Sequence, residues 1–255
     1  MHTHTPRCHQ CASSRRRSPS ATSPTEAPGQ LPIGITGDHR AVVLNLEGAD
    51  PHLMVFGDNE SGKSATLRLL IQQATRGRTG DQVAIAAIDY RRAHMDDISE
   101  SHVVGYATTN ENASKLAQEL HGELSKRLPP ADLPRQRLVD RDWWRGPELY
   151  VVVDDYELVA TQAGNPLSPL APLLPYARDI GLHLIVARRM GGAARAIFDP
   201  ILQPLIELGT PTLLHSGDRA EGRFIHSTAP QFLPPGRALY VARGRIAVPV
   251  QIAMP

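Results

Sequence analysis

Residues 53–70 read LMVFGDNESGKSATLRLL, and no other stretch restricts the possible folds as tightly. Segment 53–56 is a short apolar run, long enough for a buried parallel strand and too short for a helix. It stops at Gly57, where GDNESGKS matches G-x-x-x-x-G-K-[ST] without a gap. Beyond Ser64 the apolar positions Ala65, Leu67, Leu69, Leu70 and Ile71 stand among good helix formers, so the pattern predicts a helix. Strand, loop and helix come in the order that a phosphate-cradling loop requires.

The chemistry of holding a phosphate accounts for the residue types. Backbone N–H groups of such a loop point at the anion, and the helix dipole favours negative charge there. The candidate binding residues are Gly57, Asp58, Asn59, Glu60, Ser61, Gly62, Lys63 and Ser64. The glycines permit a close backbone approach that a Cβ would obstruct. Lys63 offers an ammonium to the β- and γ-phosphates, and the Ser64 hydroxyl is a candidate Mg²⁺ ligand. Lysine occurs only at positions 63, 115 and 126, against 24 arginines, which makes a chance match rare.

At 255 residues the chain suits one large α/β domain or two small ones. No apolar run approaches the roughly 18 residues of a membrane span, and the N-terminus lacks a secretory signal's apolar stretch. The expectation is a soluble, cytoplasmic chain. The net charge of +1 conceals an asymmetry. Residues 1–30 carry four arginines and one acid, whereas residues 31–255 carry 23 basic and 25 acidic side chains, a net −2. Residues 1–30, rich in Ser, Thr, Pro and Arg without periodicity, read as a disordered basic tail, and 31–255 as the folded domain. SSRRRSPS is read as a solvated basic run. The cysteines, Cys8 and Cys11 in CHQC, lie near His2, His4 and His9. Zinc binding or disulfide cycling would need a second ligand pair or a βαβ context, and neither is present, so incidental thiols are the simpler reading.

Two short strands are expected in LPIGI and AVVLNLEG, then strands at 83–90 and 102–107. Thr109 or Asn110 would cap a helix reaching about residue 127, with Ala113, Leu116, Ala117, Leu120, Leu124 and Leu128 on one face. The stretch 129–147 reads as a surface connection in which Trp143 and Trp144 mark a partner site or pack on the body. In ELYVVVDDYELV an apolar strand over 149–153 ends in Asp154 and Asp155. That is the form of a Walker B strand, whose first carboxylate holds Mg²⁺ directly or through water. Prolines recur every third residue in NPLSPLAPLLPYARDIG, which is read as a helix entered at Ser168 and Pro169 and kinked at Pro172 or Pro175. Strands at 182–189 and in PTLLHSG, a helical region broken near Pro200, and a β-hairpin around Arg243 and Gly244 complete the chain.

LPIGI, HLMVFGDNESGKS, ELYVVVDDYELV, LSPLAPLLPYARDIGLHLIVARRMGG and LPPGRALYVARGR together resemble the C-terminal FtsK/SpoIIIE-type ATPase domain of the EccC/EssC proteins of type VII secretion. The resemblance implies a RecA-like P-loop NTPase: an α/β fold with a mostly parallel central sheet, flanking helices and a C-terminal β-hairpin. It implies ATP and Mg²⁺ as cofactors, with the metal at Ser64 and Asp154. It further implies assembly around a ring, with other ATPase domains or membrane subunits as partners, at the inner face of the cell membrane. Its cargo would be secreted helical WXG-type proteins. Active FtsK-type motors carry a water-activating glutamate directly after the Walker B aspartate. Here that catalytic position is Asp155, one methylene shorter, and an error of about 1 Å costs roughly 10²-fold in rate. ATP binding is therefore expected more firmly than hydrolysis. Arg188 and Arg189 are read as plain surface arginines in preference to γ-phosphate sensors. A DNA translocase is the alternative, opposed by the slightly acidic body; a small-molecule kinase lacks a recognisable lid.

Overall fold

The computed structural model describes residues 29–255. Its strands are β1 (Gln30–Thr36), β2 (Ala41–Asn45), β3 (Leu53–Gly57), β4 (Val83–Ile88), β5 (Val103–Ala107), β6 (Glu148–Val153), β7 (Leu182–Arg189), β8 (Thr212–Leu214), β9 (Arg237–Val241) and β10 (Val248–Ile252). The helices are α1 (Lys63–Thr75), α2 (Asn110–Ser125), α3 (Arg135–Asp140), α4 (Tyr156–Val159), α5 (Ala177–Ile180), α6 (Ala193–Ala196) and α7 (Leu202–Glu207), with a longer 3₁₀ helix at Ser168–Tyr176.

All ten strands join one sheet in the order β2-β1-β10-β9-β8-β3-β7-β6-β4-β5. From β8 to β5 the pairings are parallel, and the other end, through the β9–β10 hairpin to β1 and β2, is antiparallel. The parallel strands are buried throughout in β3 and β4, as continuous apolar runs require when both faces are covered. Alternation along each strand divides the interior in two. Met54, Phe56, Ala84, Ala86 and Ile88 face one core, and Leu53, Val55, Val83, Ile85 and Ala87 face the other. On the first side pack α2, the 3₁₀ helix, α5 and α7; on the second lies α1, through Leu67, Leu70, Ile71 and Ala74. Each of those α1 leucines contributes about 1.5–3 kcal/mol by leaving water.

The predicted strands match in place and type, and α2 begins where expected: the Thr109 hydroxyl accepts from Asn112 N at 3.2 Å. Two readings differ. The proline-rich segment is a 3₁₀ helix instead of a kinked α-helix. Prolines spaced by three suit its three-residue turn, and Pro172 and Pro175 have no N–H to give an α-helical bond. Leu170, Leu173 and Leu174 are buried while Pro172 and Pro175 face solvent, so the hydrophobic content that argued for a helix is used as core. The 129–147 connection contains α3, and its tryptophans pack on the body. Trp143 and Trp144 donate their indole N–H groups to Arg127 O (2.8 Å) and Asp179 O (2.7 Å), and Arg127 stacks over the Trp144 ring. The motif around Cys8 and Cys11 and the arginine run lie outside the described residues. No helix among the described residues is long and apolar enough to cross a membrane.

Candidate nucleotide site

The loop between β3 and α1 is a concave stretch of backbone held from beneath. His215 N donates to Phe56 O (2.7 Å) and Asp58 N donates to Ser216 O (2.8 Å), tying the loop to the end of β8. Met190 N donates to Gly57 O (3.1 Å) from the β7 side. A Cβ on Gly57 would stand 2.5 Å from Ser61 Oγ and 2.6 Å from His215 Cβ, so only glycine fits. Gly62, at φ 106°, turns the chain into α1. Glu60 also takes a left-handed conformation, at φ 58°.

The first turn of α1 has N–H groups without intrahelical acceptors, no side chain caps it, and it carries no acidic residue. Lys63, largely buried, reaches back to donate to Asp58 O at 3.0 Å, which curls its ammonium over the loop. Ser61 Oγ is buried and has no hydrogen-bond partner among the described residues. An uncapped helix start, a lysine folded over it and a partnerless buried hydroxyl fit a phosphate chain.

The sheet order determines what faces this loop. β7 lies between β3 and β6, and α1 crosses above it, so Ser64 in the first turn meets the tip of β6. Ser64 Oγ donates to Asp154 Oδ2 at 2.8 Å. Among the described residues no group of three or more His, Cys, Asp or Glu could hold a metal. A Mg²⁺ ion with Ser64 and Asp154 would therefore complete its shell with phosphate oxygens and water, as Mg²⁺ commonly does.

Asp154 is buried yet multiply satisfied. Burial raises its pKa, but hydrogen bonds from His94 and Ser64 outweigh that and hold it below the usual carboxylate value. His94 Nε2 lies 3.0 Å from Asp154 Oδ2, and its Nδ1 lies 2.9 Å from Asp97 Oδ2. Carboxylates only accept, so both ring nitrogens donate. Burial pulls His94 down, and the bonds to Asp154 and Asp97 more than compensate, leaving it above the ordinary histidine value. Asp155 has a different environment. It sits at φ 45°, ψ 51°, its carboxylate 3.0 Å from Arg91 Nε, with a pKa raised by burial and by the Asp154 charge. A carboxylate engaged by a guanidinium is a poor position from which to activate water.

Arg188 corrects a sequence-based expectation: it is buried, not on the surface. Its guanidinium donates to Arg189 O (2.6 Å) and Gly191 O (3.3 Å), bracing the turn after β7. Arg189 is exposed.

Asp89, His94, Tyr106 and His215 are among the residues around the site that had no sequence signal strong enough to single them out. Asp89 accepts from His94 N (2.9 Å) and from the Tyr106 hydroxyl (2.6 Å). His215 sits under the loop, its Nδ1 3.1 Å from Ser61 O and its Nε2 3.1 Å from Thr66 Oγ1. Asp89 ends the apolar strand VAIAAI as Asp154 ends ELYVVV, and this shared pattern was the available clue. The register Ile88↔Val153 then sets the two aspartates side by side.

The FtsK/SpoIIIE family profile matches residues 12–141. The chain is 46% identical over 227 residues to an ESX secretion system protein EccC of Thermomonospora curvata, covering 88% of this chain and 17% of the relative. It is 45% identical over 206 residues to the ESX-4 secretion system protein EccC4 of Mycobacterium tuberculosis, covering 81% of this chain and 17% of that one. The chain thus spans about a sixth of the length of these curated relatives. Among solved structures, the cytoplasmic domain of the Thermomonospora curvata type VII secretion ATPase EccC superposes with a TM-score of 0.86 at 45% identity, over 90% of this chain and 27% of that one. A second structure, EccC ATPases 2 and 3 of that organism in complex with a signal sequence peptide, gives the same score and identity over 90% of this chain and 41% of that one. The profile covers about half the chain, and the likeness to EccC extends over 88% of the chain: this chain belongs to the FtsK/SpoIIIE family.

Proposed function

We propose that this chain is a nucleotide-binding module, motor or substrate receptor, of a type VII (ESX-like) protein secretion system. The observation that carries the reading is the 2.8 Å contact between Ser64 and Asp154, which joins an uncapped phosphate loop to a Walker B carboxylate in a chain 46% identical to an EccC protein. ATP would lie with its phosphates on Gly57, Asp58, Asn59, Glu60, Ser61, Gly62, Lys63 and Ser64. Mg²⁺ at Ser64 and Asp154 would neutralise charge on the phosphate oxygens. Asp155, paired with Arg91, supports slow turnover: binding is the activity of the isolated chain, and rapid hydrolysis awaits a neighbour's arginine. The partners are other ATPase domains or membrane subunits of the apparatus, in a ring at the inner face of the cell membrane. The cargo is a secreted helical WXG-type protein, a reading supported by the signal sequence peptide bound to the related EccC.

Calorimetry with Mg·ATP tests the site. Lys63→Ala should weaken binding by about 10- to 100-fold, the worth of a charge-assisted hydrogen bond of roughly 1.5–3 kcal/mol, with the fold intact. Equal binding by the wild type and the variant would show that the loop is not where nucleotide sits. Fast multiple turnover by the dilute wild type would remove the case for a weakened Asp155.

A further inference from the structure

The Asp154 carboxylate is engaged on both oxygens. Ser64 Oγ and His94 Nε2 both donate to Oδ2, at 2.8 and 3.0 Å, and Asp155 N donates to Oδ1 at 2.8 Å. His94 is itself immobilised, with its side chain 1% exposed. Its backbone N–H is bound by Asp89 and its Nδ1–H by Asp97, whose other oxygen accepts from Arg68 Nε at 2.7 Å. Arg68 stands one helical turn beyond Ser64 on the same face of α1. A closed circuit therefore runs from α1 through Arg68, Asp97, His94 and Asp154 back to Ser64 on α1.

We infer that His94 is a positioning residue for the divalent cation of the nucleotide: its Nε2–H holds the Asp154 carboxylate in the one orientation that lets Asp154 and Ser64 face a cation together. The inference rests on the nucleotide reading above. With no group of three protein ligands among the described residues, phosphate and water supply most of the shell. The orientation of the single carboxylate then decides whether the remaining corner is met. Partners that orient a metal ligand are worth 10–100-fold in metal affinity when lost. A histidine that only braced the loop after β4 would act through Asp97 and leave cation binding unchanged.

Glutamine and asparagine separate these roles. The glutamine amide reaches the Nε2 position and keeps a donor to Asp154, whereas the asparagine amide reaches only the Nδ1 position and serves Asp97. The experiment uses the full chain and the fluorescent nucleotide mant-ATP, measured in EDTA and then through a Mg²⁺ titration, with Mn²⁺ electron paramagnetic resonance as a second readout of the bound cation. His94→Asn should raise the Mg²⁺ midpoint by about 10- to 100-fold and His94→Gln by less than about threefold, with unchanged affinity in EDTA. A midpoint in His94→Asn equal to the wild type, or lower, overturns the inference, the latter by showing that His94 competes with the cation. A midpoint raised tenfold or more in His94→Gln also overturns it, and that arm decides the matter if His94→Asn fails to fold. Lys63→Ala in the same assay keeps the two readings apart. Unchanged mant-ATP binding in that variant refutes the nucleotide site, whereas lost binding there with a wild-type midpoint in His94→Asn refutes only the role of His94.

Discussion

At the scale of single residues, burial sorts the histidines into opposite electrostatic roles. His94 is surrounded by carboxylates that hold its pKa above the ordinary histidine value, whereas burial disfavours the charged form of His52 and His215, with the Lys63 charge adding to the effect at His215. Burial pushes His52 down to about 3 and His215 down to about 4. The backbone selects the neutral His52 tautomer: Leu184 N donates to Nδ1 at 3.0 Å, so the proton is on Nε2, facing Leu174 O at 3.3 Å. In the unfolded chain both residues titrate near 6.5, so between pH 6.5 and 4 the unfolded state binds more protons and stability falls as pH falls. Each contributes a slope of about 1.4 kcal/mol per pH unit. His94, raised when folded, contributes fully below 6.5 and loses its contribution only as pH rises, so it adds no slope in this window. Urea unfolding at pH 5 and pH 6.5 should therefore show weaker folding at pH 5. His52→Asn, which keeps an acceptor for Leu184 N, should lose about half of that difference; an undiminished difference would mean that His52 charges in the folded state.

Among the elements, α2 shows how local chemistry and tertiary burial cooperate. Thr109 satisfies one orphan N–H at its start, and Ala113, Leu116, Ala117, Leu120 and Leu124 are buried against the sheet and the 3₁₀ helix. Thr109→Ala should lower stability by about 1 kcal/mol and Thr109→Ser should restore most of it, as read from denaturation midpoints. Equal stabilities for all three would show that Asn112 N finds water as readily as the hydroxyl. The 3₁₀ helix makes the converse point. Its leucines were legible as core residues, but its geometry depends on missing N–H groups at every third position, a feature that hydrophobic periodicity does not report.

For the molecule as a whole, charge separates secretion from DNA transport. Residues 29–255 carry 23 basic and 25 acidic side chains, and the arginines of residues 1–28 supply the positive excess. Duplex DNA binding draws on several neutralised phosphates and weakens steeply with salt. A truncated chain should begin at Gly29, since Gly29 O accepts from Leu46 N at 3.3 Å and anchors the start of β1. Residues 29–255 should show no measurable duplex DNA binding at physiological salt and should retain binding of a helical export signal, both followed by salt titration. Tight, steeply salt-dependent DNA binding without affinity for such a helix would favour a DNA translocase.

The strand, the phosphate loop and the helix of residues 53–70 were determined by the sequence alone, because each depends on local spacing: an apolar run, two glycines, a lysine and a helical repeat. The same holds for the aspartates ending β6 and for the alternation of strands and helices. Tertiary structure alone decided which groups meet. Ser64 and Asp154 are 90 positions apart and His94 and Asp154 are 60 apart; they converge because β7 and β6 order themselves beside β3, with β4 next in line. Arg188 ended buried for the same kind of reason, since its partners are carbonyls of a turn whose path depends on the packed sheet. Local pattern reports the energy of forming an element, whereas hydrogen bonds between distant side chains depend on sheet order, which no local window contains.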